Sequence, residues 1–127
     1  MTPLSIMVHS AAIAYSILTA GVIVFQCCLI AGAPWGHLTQ GGKNTGALPR
    51  AGRIAAGISI LLLVGMAGGV LSAAGLAPGW PLWTGWAAVG VQALSTLANW
   101  ATPSKSERRL WAPITTLLLV LALVSVW

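Results

Sequence analysis

The sequence predicts an all-α membrane protein: four transmembrane helices in an antiparallel bundle, with both termini on the outer side. Three observations lead there. Only 6% of the 127 residues are charged and 57% are hydrophobic, whereas a soluble domain carries about 25% charged residues. The apolar residues fall into four runs separated by Gly, Pro and polar breakers. Each run has roughly the 20 residues that, at ~1.5 Å per residue, cross a ~30 Å hydrocarbon core. Finally, all six basic residues fall in two of the three connections or beside them.

Hydrocarbon satisfies no backbone N–H or C=O, so long apolar runs must close their hydrogen bonds internally, as helices. Helix one is expected over residues 4–33, stopped by Pro34. It has neither the basic region nor a clear cleavage site of a signal peptide, so it is expected to stay in the mature chain. Helix two is expected over 49–74, with Pro49 at a helix-start position and Gly75 past its end. The stretch "GLAPGWP" makes a short turn, and helix three follows over 81–100.

Helix four is expected over 105–127, and its start is the most legible. In "TPSKSERRLWAP", Ser104 and Glu107 have the spacing of a capping box. The Ser hydroxyl accepts from the N–H three residues on, and Glu107 reaches back to the Ser104 N–H. Glu107 is the only acidic residue and is read as a cap that also pairs with a nearby Arg. Pro113 lies inside the helix and should kink it or free a carbonyl near Arg109. The four helices make one transmembrane domain over 1–127.

Charge sets the orientation. Lys43, Arg50 and Arg53 lie between or at the ends of helices one and two; Lys105, Arg108 and Arg109 lie between helices three and four. Four passes put both groups on one side, and the positive-inside rule makes that side cytoplasmic. Trp35, Trp100 and Trp111 then fall near the cytoplasmic interface, and Trp80, Trp83 and Trp127 near the outer one, as indole rings prefer. A net charge of +5 would suggest nucleic acid for a soluble chain; here it serves topology, and no nucleic-acid partner is expected. The same six bases are candidate contacts for anionic lipid headgroups.

The one long polar stretch, "APWGHLTQGGKNTGALPR", invites comparison with a phosphate-binding Walker loop. Gly36 and Gly41 have the right separation, but Gly42 stands where Lys is needed and Asn44 follows Lys43. No strand precedes it, so the match fails on residues and on context.

Inside the hydrophobic runs, polar residues share a level. Gln26, Ser59, Gln92 with Ser95, and Thr115 lie about 6–12 Å in from the cytoplasmic helix ends. Asn99 shares a helical face with Gln92, Ser95 and Thr96. An unpaired amide in hydrocarbon costs several kcal/mol, so Gln26 and Gln92 are expected to meet each other or water. These residues mark either helix–helix contacts or a polar pocket. Gly65, Gly69 and Ala73, in four-residue steps with Gly68 and Ser72 alongside, favour close packing. That packing is either within the chain or in a homo-oligomer or larger membrane complex.

Reactive chemistry has little support. No base–nucleophile pair is apparent, so no catalytic residue is assigned. Cys27 and Cys28 point about 100° apart on a helix and read as small apolar packing residues. His9 and His37 are expected on opposite faces of the membrane, and no acid or Cys accompanies His9. No metal and no cofactor is therefore expected.

The stretches "APWGHLTQGGKNTGALPR" and "NWATPSKSERRLWAP" resemble those of a group of small bacterial four-helix integral membrane proteins, described as uncharacterised. That group has a Gly-Gly loop after helix one and a "TPS…ER…W.P" start to helix four. The resemblance implies a bacterial inner-membrane location and no activity. Small multidrug transporters share the size and helix count but depend on a Glu in helix one, where this chain has no acid. The expected function is a structural or interaction role in a membrane complex. The alternative is an oligomeric small-solute transporter or channel with a polar pocket in its cytoplasmic half.

Overall fold

The computed structural model describes residues 2–127. The chain forms α1 (Pro3–Ile30), α2 (Arg50–Ala73), α3 (Leu82–Ala101) and α4 (Lys105–Val126), with no strand among the described residues. Two single 3-10 turns, Gly36–Leu38 and Gln40–Gly42, shape the α1–α2 loop. Helices α1, α2 and α4 are long and apolar enough to cross a membrane. α3, at 20 residues, carries Thr84, Gln92, Ser95, Thr96 and Asn99 along its length.

Two of the helix ends follow from glycine. α1 stops at Ile30, short of Ala33, because Gly32 adopts a φ of 102°, a conformation costly to any residue with a Cβ. The Ala33 N–H then bonds the Cys28 carbonyl and the Gly32 N–H the Leu29 carbonyl, which satisfies two carbonyls the helix end would leave open. Gly75, at φ 86°, ends α2 in the same way, with Leu76 bonded to Leu71 and Gly75 to Ser72.

The helices pack in ring order α1–α2–α3–α4, with α4 closing on α1. The central contacts come from Ala12, Tyr15, Val70, Ala88, Leu118 and Ala122. Outside the ring, Ile17, Leu61, Leu94 and Leu97 are each at least two-thirds exposed. So continuous an apolar exterior suits lipid. The α1–α2 and α3–α4 connections meet at one end, called here the loop end; the short α2–α3 turn lies at the other.

Small residues decide how closely α2 and α3 approach. A Cβ on Gly69 would sit 2.6 Å from the Thr84 carbonyl oxygen, and one on Gly85 2.7 Å from the Ala73 Cβ. Gly68 receives the Trp80 ring, and the Ser72 hydroxyl accepts from the Trp80 N–H at 2.9 Å. Most of the small-residue face is thus used within the chain. Gly65 is the exception, with nothing within 4 Å of its Cβ position. Gly69→Ala is expected to lower unfolding stability in detergent by about 1–3 kcal/mol through overpacking, and Gly65→Ala by no more than ~0.5. Equal effects of the two variants would contradict this packing.

Candidate functional site

The long loop is folded down onto α4 rather than left in solvent. The Glu107 carboxylate accepts from the Gly41 N–H at 2.8 Å. Trp111, one turn further along α4, donates its indole N–H to the Leu38 carbonyl at 2.7 Å. The Ser104 hydroxyl donates to the His37 carbonyl at 3.0 Å, and Gly42 packs directly on the Ser104 side chain. Gln40 is held at a φ of 51°, unusual for a non-glycine residue, with its amide donating to the Gly52 carbonyl at 2.9 Å. Phe25 stacks on Trp35 and meets Trp111 edge-on. These contacts come from the loop, α1, α2 and α4 together.

The start of α4 departs from the sequence expectation on one point. Ser104 caps the helix, accepting from the Glu107 N–H at 3.3 Å. The reciprocal bond is absent: the Ser104 N–H goes to the Thr102 hydroxyl, and the Glu107 carboxylate turns to Gly41 instead of to an Arg. The reason is local. Glu107 is only 8% exposed, and a carboxylate in that position needs a donor on the buried side.

Beneath the loop lies a cavity of about 260 Å³. All six polar residues singled out from the sequence line it: Gln26 from α1, Ser59 from α2, Gln92, Ser95 and Asn99 from α3, and Thr115 from α4. Thr39 and Gln40 of the loop, with Glu107 and Trp111, complete its polar end; Val22, Leu62, Leu63, Met66, Val91 and Leu118 line the rest. Glu107 is the only charged residue in the wall. Ser59 and Thr115 donate their hydroxyl protons to their own helices, to the Ala55 and Trp111 carbonyls. Asn99 donates to the Ser95 carbonyl at 2.7 Å, which leaves its side-chain oxygen for the cavity.

The two glutamines do not bond to each other. The Gln92 Oε1 accepts from the Tyr15 hydroxyl at 2.9 Å in the buried interior, so α1 and α3 are tied through Tyr15. Depth explains the difference. Phe25, next to Gln26, packs on Trp111. Thr96, one turn from Gln92, bonds the Thr115 carbonyl, one turn on from Trp111. Two helical turns, about 11 Å, therefore separate the amides along the bundle. The longer α1, at 28 residues against 20 for α3, carries Gln26 past the level of Gln92. Sequence reading missed Tyr15. Its signal was its solitude: it is the only Tyr in the chain, and a buried Tyr hydroxyl needs a partner.

The six bases gather at the loop end. Lys43, Arg50, Lys105 and Arg109 are exposed and Arg108 half-buried. Arg53 is engaged in the fold, donating to the Leu48 carbonyl at 2.9 Å and the Ile30 carbonyl at 3.4 Å. It thereby covers the C-terminus of α1, where a cation opposes the helix dipole. Near the turn end, His9 lies beside Gly75. Cys27 is exposed and Cys28 partly so, both unbonded.

Tyr15→Phe and Gln92→Leu are expected to be coupled in a double-mutant cycle by about 0.6 kcal/mol, with ~1.7 near the upper end for membrane hydrogen bonds. Gln26→Leu should add to Gln92→Leu without coupling. Additive behaviour of Tyr15 and Gln92 would contradict the buried bond.

Comparison with protein-family models, curated proteins and solved structures gives no match, so the reading of the cavity rests on its own side chains.

Proposed function

We propose that this is a four-span integral membrane protein that binds a small polar solute in the loop-end cavity, as a transporter or channel of the small oligomeric kind. The supporting observation is the convergence of polar side chains from all four helices on one cavity. Random polar substitutions in lipid-spanning helices are costly, and they would have no reason to share a cavity. The Gln92 and Gln26 amides keep donor or acceptor groups with no protein partner among the described residues, and such groups are what fix a polar ligand's orientation. At about 260 Å³ the space is below the ~300–1,000 Å³ typical of drug-sized ligands. That volume suits a small solute.

The structural or interaction role in a membrane complex is the second reading. It is favoured by Gly65, which sits uncovered beside exposed Leu61 and Val64 on α2 and would admit another helix closely. Native mass spectrometry from lipid nanodiscs separates the two. A homo-oligomer retaining a small solute, lost on Gln92→Leu, supports the first. A stoichiometric foreign protein with an empty cavity overturns it in favour of the second.

The proposed setting is the bacterial inner membrane, with α3 as the fourth span and both loops cytoplasmic. The support is the gathering of all six bases at the loop end. A C-terminal alkaline phosphatase fusion should then be active and a green fluorescent fusion dark. The reverse pattern would overturn the orientation.

A further inference from the structure

We infer that the cavity selects a small organic cation, held by the Glu107 carboxylate beside Trp111; this rests on the solute-binding reading above. The argument begins from charge. The chain has one acidic residue against six basic ones, and that one acid lies in the cavity wall, where none of the bases does. Glu107 is more than nine-tenths buried. Its bond to the Gly41 N–H is a neutral donor's, which leaves the negative charge without a cationic partner in the wall. A buried carboxylate is ordinarily paired, and here the open side of the group faces a space of molecular size.

The neighbours suit the same ligand. Trp111 stands one turn from Glu107 on the same helical face, and an aromatic ring attracts a cation that meets its face. The Asn99 oxygen and the hydroxyl oxygens of Ser59 and Thr115, whose protons are used within their own helices, offer acceptors. They match the N–H groups of an ammonium or guanidinium. An anion would meet Glu107 with no base in the wall to offset it. A neutral solute would leave the carboxylate without a counter-charge. The volume suits a small cation: about 260 Å³ is roughly nine water volumes at ~30 Å³ each.

The experiment compares three matched probe sets of C2–C6 chains (primary alkylammonium ions, the corresponding alcohols and the corresponding carboxylates) by calorimetry on the protein in nanodiscs. The wild type should bind the ammonium ions at least about tenfold more tightly than the alcohols, the factor a charged hydrogen bond supplies, and should ignore the carboxylates. Glu107→Gln keeps an oxygen for the Gly41 N–H while removing the charge, and should bring the ammonium-to-alcohol ratio to near one. Retained secondary structure and monodisperse elution verify that the variant folds. Equal binding of alcohols and ammonium ions by the wild type overturns the cation assignment and leaves the pocket reading standing, as does an unchanged ratio in Glu107→Gln. Silence toward all three sets overturns both.

Discussion

The bond from the Gly41 N–H to the Glu107 carboxylate holds the loop end together. It joins the middle of the α1–α2 connection to the first turn of α4, across 66 residues of chain. Around it gather the Trp111 indole on the Leu38 carbonyl and the Ser104 hydroxyl on the His37 carbonyl. Each contact is a side chain of α4 or its cap satisfying backbone of the loop, so these loop groups are paired by protein. The loop in turn covers the polar end of the cavity through Thr39 and Gln40. The one acid of the chain is thus both an anchor for the roof and the charge of the wall.

The two ends of the bundle are built by opposite means. At the turn end, glycine and alanine bring α2 and α3 into backbone contact through Gly69, Ala73 and Gly85, and the Trp86 and Trp127 rings meet at 6.1 Å. Toward the loop end the facing residues are Ser59, Ser95 and Asn99. There these polar side chains line the cavity and bond within their own helices. Between the two regimes, the Tyr15–Gln92 bond crosses the ring from α1 to α3 and closes the floor of the polar layer.

Much of this was legible in the sequence, and the reasons are physical. Helix number and length followed from apolar runs between breakers, because a helix long enough to cross a membrane needs an uninterrupted stretch. The start of α4 was readable from Ser104 because capping is a local interaction. That Gln26, Ser59, Gln92, Ser95 and Thr115 line one cavity was readable from counting residues along helices, although the count set Gln26 and Gln92 at one depth where the structure sets them apart. What escaped were the long-range pairings. The partner of Glu107 is a backbone N–H in another connection, and a backbone donor leaves no trace in residue identity. The partner of Gln92 depended on how far α1 runs past α3, a matter of packing that counting from helix ends does not capture. The end of α1 at Ile30 was masked by Pro34, although Gly32 was the true stop.

Hydrogen–deuterium exchange of the loop in lipid nanodiscs tests the central claim most directly: that residues 36–48 form a built roof anchored on α4. The Gly36, Leu38, Gly41 and Gly42 amides all have acceptors, in Gly46, Trp35, Glu107 and Thr39. The account predicts that they exchange at least about tenfold more slowly than an unstructured peptide, and that Glu107→Ala releases Gly41 first, as opening of a local unit requires. Exchange of the whole loop at the unstructured rate in the wild-type protein would contradict it.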